Sequence, residues 1–239
     1  MNYIAERRQE EKERRRTEIL DAAEQVTGSS GWDELTMDQV ARRARLSRAL
    51  LYVYFKDKVD LMYALCERSL IELQRRFVLA AQSKQLGLDR VHAVGEAYIA
   101  FVEECPVYFD ILARCGLREV NTKDPGTNEQ ACQTVGEAML GMIVAVLDEG
   151  VKDGSIRADL GNRVVAATAL WGFMQGVIQV ASTNAMMSAS GRVAEAGNIV
   201  VTLVSGIKRA TGFGHLSATS GSGTWRGALC SGTWTAQRI

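Results

Sequence analysis

Apolar residues along this chain recur at steps of three and four, and the strict alternation of a half-buried strand is scarce. Over residues 8–28, Ile19, Ala22, Ala23 and Val26 fall on one side of a helix and charges fill the rest. Gly28-Ser29-Ser30-Gly31 stops that pattern. The first half of the helix, Glu6 to Arg16, is almost all charge and reads as a solvated extension. Leu35-Thr36 opens a second helix, running to about Ala44. Thr36 followed three positions later by Gln39 has the form of a capping box, in which each side chain satisfies an otherwise unpaired amide. Ser47 is placed to cap a short third helix, Arg48 to about Tyr54. Phe55-Lys56-Asp57 interrupts it. Asp57 then caps a fourth helix that begins at Lys58 and, on the spacing of Leu61, Leu65, Ile71 and Leu73, continues to about Gln82. The same spacing predicts helices over about 88–104, 106–120, 127–153, 160–186 and 191–210, which makes the fold all-α. Gly136, Gly141, Gly172 and Gly176 interrupt the later helices in composition only and are read as points of close helix packing.

The stretch from Leu35 to Leu61 carries the functional signal. Two helices this short do not persist alone. They must pack on each other and on the first helix through Val40, Ala41, Leu46, Leu51 and Phe55. That is helix-turn-helix geometry, with the second of the two helices presented outward, and Arg48, Ala49, Leu50 and Val53 among its exposed residues. A helix in a DNA major groove reads base edges with such first-turn side chains. The flanking groups suit phosphates. Thr36 brings a hydroxyl to a helix N-terminus, Lys58 adds a cation to another, and Tyr52 and Tyr54 offer phenol donors. Tyr52 fits a core position equally well, and Arg42 and Arg43 read as solvated side chains. The charge distribution agrees. The chain of 239 residues has 28 Lys and Arg against 28 Asp and Glu, yet residues 36–58 hold six basic and two acidic side chains, and residues 84–239 hold thirteen and fourteen.

These residues bring a family into view. Leu35-Thr36, Val40-Ala41, Leu46-Ser47-Arg48 and Leu51-Tyr52-x-Tyr54-Phe55-x-x-Lys58-x-x-Leu61 resemble the TetR family of bacterial transcriptional regulators. Ile19-Leu20-x-Ala22-Ala23 and Gly31-Trp32 are similar to the family's first helix and its exit, and Glu104-Cys105-Pro106-Val107-Tyr108-Phe109 to the start of its sixth helix. The resemblance implies an N-terminal three-helix helix-turn-helix domain, about 13–73, that binds double-stranded operator DNA. It implies a C-terminal helical bundle, about 74–210, that binds a small-molecule inducer and forms a homodimer. By position, the DNA-contacting residues would be Thr36, Arg45, Ser47, Arg48, Ala49, Leu50, Tyr52, Tyr54 and Lys58. Arg45 stands where the family usually has glycine. A positive φ there would strain Arg45 by about 1 kcal/mol, or the turn would differ slightly.

In the body, Tyr98, Phe101, Tyr108, Phe109, Leu112, Cys115, Met139, Met142, Trp171, Met174 and Gln175 are candidates to line an inducer pocket, being apolar with a few polar groups. Met side chains adapt to varied apolar ligands, so the expected inducer is small and mostly apolar. Segments 160–186 and 191–210 carry more apolar surface than one bundle edge needs and are the expected two-fold interface. A dimer joined there would hold two recognition helices roughly 34–36 Å apart. After Arg209 the composition turns rich in Gly, Ser and Thr, with Ser-Gly-Thr-Trp at 222–225 and again at 231–234, so 211–239 reads as a flexible tail.

Other classes find little support. No Gly-x-Ser-x-Gly, phosphate-cradling glycine loop or His-Glu-x-x-His occurs, and His92 and His215 are the only histidines, so no enzyme and no cofactor is expected. Five scattered cysteines without a Cys-x-x-Cys pair suggest neither a disulfide framework nor a metal site, and point to reduced thiols in a cytoplasmic protein. A thiol-sensing regulator stays open, as does a helical interaction protein that has lost DNA binding. No run approaches roughly 18 uninterrupted apolar residues, so no membrane span is expected, and the charged N-terminus lacks a signal peptide's apolar core.

Overall fold

The structure, a computed structural model, describes residues 3–116 and 126–183. The expected helix over 191–210, the Gly/Ser/Thr-rich segment 211–239 and the end of the helix expected over 106–120 lie outside the described residues. Those that are described form eight α-helices and no strand: α1 (Tyr3–Ser30), α2 (Met37–Arg43), α3 (Arg48–Tyr54), α4 (Lys58–Gln82), α5 (Gly87–Glu104), α6 (Pro106–Gly116), α7 (Thr127–Lys152) and α8 (Arg163–Thr183).

Local chemistry sets the boundaries. α1 ends at Ser30 because Gly31 takes φ +82°, a left-handed value open to glycine. Its charged first half is held helical by ion pairs one turn apart, Glu11 with Arg14 and Arg15, and Arg15 with Glu18. Thr36 and Gln39 form the reciprocal capping box of α2, Ser47 Oγ accepts the Leu50 amide at 3.2 Å, and Asp57 Oδ1 accepts the Asp60 amide at 2.8 Å. α8 starts at Arg163, later than the apolar spacing suggests, because Asn162 Oδ1 accepts the Val164 amide at 2.9 Å and caps it.

Ile19 and Ala23 of α1, Val40 of α2 and Leu51 of α3 are buried together with Phe55, Leu61 and Leu65. α4 continues that core into the body, where it packs on α5, α6 and α7. By length and composition α7 is apolar enough to cross a membrane. In this fold it is a bundle helix packed on α4, α5 and α8.

One crossing is unusually close. Leu86 offers α5 no side-chain cap. The cap comes from the loop after α7, where Asp153 Oδ2 accepts the Gly87 amide at 2.7 Å and Ser155 Oγ accepts the Leu88 amide at 3.0 Å. To reach those groups Gly87 lies against Gly150, and a Cβ built on Gly87 would fall 2.2 Å from the Gly150 Cα. Backbone cannot yield as a flexible side chain can. Gly87→Ala is therefore expected to destabilise the chain by about 3 kcal/mol, a fall of roughly 6–12 °C in a thermal melt. An unchanged melt would disprove the crossing.

The other glycines behave differently from the expectation of close packing. Added Cβ atoms at Gly141, Gly172 and Gly176 would meet nothing within 4 Å, and one at Gly136 only Leu70 Cδ1 at 3.9 Å. Gly136, Gly172 and Gly176 border a cavity. Among the described residues, these glycines leave space.

Candidate nucleic-acid interface and ligand cavity

The turn between α2 and α3 decides how α3 is aimed. The Leu46 amide donates to Ala41 O at 2.9 Å and the Arg45 amide to Arg42 O at 3.1 Å, the paired bonds of a Schellman ending. That ending needs a left-handed residue after the cap, and Arg45 supplies it at φ +57°. Of the two alternatives for Arg45, strain or an altered turn, the structure shows strain. Arg45→Gly is expected to raise stability by about 1 kcal/mol, or roughly 2–4 °C in a melt, while removing one exposed cation beside α3. A lower melting temperature would contradict that reading of the turn.

Buried Val40, Ala41, Leu51 and Phe55 hold α3 with its other side outward. Thr36, Arg45, Ser47, Arg48 and Ala49 are exposed, Leu50 and Tyr52 are 38% and 40% exposed, and Val53 reaches 77%. Tyr52 is thus a surface residue, and the Arg48 guanidinium lies over its ring, 5.6 Å from the centroid. Arg48 Nε is 3.2 Å from Asp38 Oδ1, which holds the side chain across the α2–α3 groove. Tyr54 is half-buried. Lys58 is more engaged than its position suggested. Its Nζ donates to Asp33 O at 3.0 Å, it lies 5.2 Å from the Trp32 ring centroid, and partial burial lowers its pKa. Arg43, read as solvated, donates to Gln25 Oε1 and ties α2 to α1.

The body holds an apolar cavity of about 700 Å³ between α4, α6, α7 and α8. Leu112, Cys115, Met139, Trp171 and Gln175 of the expected set line it. Tyr98 and Met174 line a neighbouring void of about 50 Å³ that shares Trp171 and Ile143 with the larger one. Tyr98 is fully buried, stacks on Trp171 with centroids 5.3 Å apart and donates its hydroxyl to Gln175 Oε1; burial pushes its pKa up.

Phe101, Tyr108, Phe109 and Met142, also expected at the ligand, line neither space. Phe101 and Phe109 are filled core, Met142 packs half-buried against it, and Tyr108 turns toward α1. Sequence spacing missed Tyr63, Cys66, Glu129, Cys132 and Gln133 in the cavity wall. None has a motif, because the wall is assembled from distant helices. Gln133 Nε2 is buried there without a hydrogen-bond partner. No Lys or Arg is among the described residues that line the cavity.

Two helices join cavity to head. α6 sends Leu112 and Cys115 into the cavity, and on its other side the Tyr108 hydroxyl donates to Glu24 Oε1 at 2.9 Å. Arg114 grips Asp33 with bonds of 2.8 and 3.0 Å. Burial raises the pKa of Glu24, and burial together with Glu24 raises that of Tyr108. α4 lends Tyr63, Cys66 and Leu70 to the cavity, while Arg68 pairs with Asp21 at 2.7 Å and Glu24 at 3.0 Å.

A capped helix-turn-helix with its second helix exposed is built to enter a DNA groove, and the helical body that carries it holds an apolar cavity with room for a ligand. Comparison with known proteins agrees. Residues 19–65 match the family described as bacterial regulatory proteins, tetR family. Over 147 residues, 62% of this chain, it is 27% identical to the HTH-type transcriptional activator FasR of Mycolicibacterium smegmatis, spanning 64% of that protein. It is 22% identical, over the same share of this chain, to 73% of the fatty acid metabolism regulator protein of Bacillus subtilis. The fold superposes with a TM-score of 0.61 and 19% identity on the transcriptional regulator FadR from Bacillus subtilis in complex with stearoyl-CoA, covering 79% of this chain and 96% of that one. Within this chain, the segment from α1 to the first turns of α4 is thus the one it shares with the tetR family of bacterial regulatory proteins.

Proposed function

We propose that this chain is a homodimeric repressor that leaves its operator when a fatty acyl ligand enters the cavity. A head over about 13–73 reads DNA through Thr36, Arg45, Ser47, Arg48, Ala49, Leu50, Tyr52, Tyr54 and Lys58. A body over about 74–210 carries the cavity and the two-fold face. The observation that carries the reading is the double role of α6, which lines the cavity with Leu112 and Cys115 and holds the head through Tyr108 and Arg114.

The wall favours an acyl chain. It is apolar, and its unpartnered Gln133 amide can donate to a carbonyl oxygen of the ligand. The similarity to a fatty acid metabolism regulator and to a FadR bound to stearoyl-CoA supports the same ligand class. The dimer reading rests on α8, where Val164, Val165 and Phe173 are exposed apolar residues on one helix; the remainder of the expected face, 191–210, lies outside the described residues.

DNA binding by a dimer requires one spacing between its two heads. A ligand that prefers another spacing lowers DNA affinity by the ratio of its affinities for the two states. A coupling of about 1–3 kcal/mol corresponds to roughly 5–150-fold. The test is an electrophoretic shift with the DNA flanking the chain's own gene, repeated with stearoyl-CoA. Binding that weakens within that range is expected. Binding indifferent to long-chain acyl-CoA would refute the ligand class. The likeness to the activator FasR gives the repressor reading its own check. Expression from the bound promoter should rise when the gene is deleted, and a fall would make the chain an activator.

A further inference from the structure

Cys66 of α4, Cys115 in the last turn of α6 and Cys132 of α7 come together in the cavity wall. They lie within hydrogen-bonding reach of one another. Cys66 and Cys132 are buried and Cys115 is half-buried, and all three are reduced. Cys105 stands apart, with the Arg76 guanidinium 3.6 Å from its sulfur.

The three thiols are not equivalent. The neighbouring Cys115 and Cys66 thiols hold the Cys132 pKa below the ordinary thiol value, whereas the neighbouring thiols and burial push Cys66 up. Cys132 is thereby more acidic than Cys66, and Cys115 stands in the same wall, which is the pairing an attacking and a resolving cysteine need. Among the described residues no group of His, Cys, Asp or Glu is placed to hold a metal ion. The surrounding wall, including Leu70, Leu112 and Met139, admits apolar molecules.

We propose that Cys66, Cys115 and Cys132 form an oxidation site in which an apolar organic hydroperoxide is reduced and a disulfide closes between two of the three helices. The Cys132 thiolate attacks the terminal peroxide oxygen. An S–O bond forms, the O–O bond breaks, and the alkoxide leaves as the alcohol after taking up the proton the thiol released. Cys115 or Cys66 then attacks the sulfenic sulfur, forming the S–S bond and expelling the oxygen as water. In sum, two thiols and one hydroperoxide give one disulfide, one alcohol and one water. A disulfide through Cys115 would pull on the last turn of α6, next to the Arg114–Asp33 pair, and so shift operator affinity. That consequence rests on the lever proposed above; the thiol chemistry does not.

The full chain is treated with cumene hydroperoxide, its thiols are counted after denaturation, and its peptides are mapped without reduction. Two of the five thiols should disappear, with the Cys132 peptide joined to that of Cys115 or Cys66. Hydrogen peroxide at the same concentration should react more slowly. Cys132→Ser should abolish the linkage and Cys105→Ser should leave it. Retention of all five thiols, linkage through Cys105 or Cys230, or equal reaction with hydrogen peroxide would overturn the proposal. The map of the unsubstituted chain decides the matter even if Cys132→Ser folds poorly, and it decides it whether or not stearoyl-CoA releases DNA.

Discussion

Arg48→Glu is expected to abolish specific operator binding while leaving the fold intact. Arg48 is the first residue of α3, exposed, and steadied by Asp38 and the Tyr52 ring, so its guanidinium is held at the edge of the surface that would enter the groove. Losing a side chain's contact to a base costs about 1–3 kcal/mol, and a dimer loses it twice, for about 2–6 kcal/mol or roughly 30-fold to more than 10⁴-fold. Reversing the charge adds repulsion from the phosphates. Stability should barely move, because the exposed Arg48–Asp38 pair contributes little and a carboxylate in the first turn of a helix is favoured by its dipole. The measurement is a binding titration at several salt concentrations beside a thermal melt. The salt dependence should also flatten, since fewer counterions are released. Wild-type affinity with an unchanged melt would remove α3 from the interface.

The head was legible in the sequence because its determinants are local. Thr36 with Gln39, Ser47 and Asp57 each fix a helix start within three residues, and Gly31 ends α1. Even the positive φ at Arg45 could be anticipated, since the family that this stretch resembles usually has glycine at that position. The cavity was legible only in part. Helical periodicity says that Phe109 and Met139 both face inward, but not that Phe109 meets packed neighbours while Met139 meets space. Gly136 was misread for the same reason: a missing side chain permits either close packing or a void, and the partner helix decides which. Gly87 carried no signal at all, because the Asp153 and Ser155 groups that draw it against Gly150 lie more than sixty residues away. The three clustered thiols are likewise a product of topology, one from each of α4, α6 and α7.

If the cavity is where a ligand acts, filling it should uncouple the chain from that ligand without touching DNA. Gly136→Phe does this with little backbone cost. A Cβ at Gly136 makes an ordinary 3.9 Å contact with Leu70 Cδ1, and the ring beyond it has the cavity to occupy. Replacing a mid-helix glycine also contributes up to about 1 kcal/mol of helix propensity, so the melt should hold or rise. Gly136→Ala is the matched control, gaining the propensity while leaving most of the space open. The Phe chain should bind operator as the unsubstituted chain does, yet lose the roughly 5–150-fold release by stearoyl-CoA that the proposed coupling supplies; the Ala chain should keep it. Calorimetry of stearoyl-CoA binding separates the possible failures. If the Phe chain still binds the ligand and still lets go of DNA, the acyl group lies elsewhere. If it binds the ligand but no longer responds, the cavity residues on α4 and α6 transmit the signal without holding the chain.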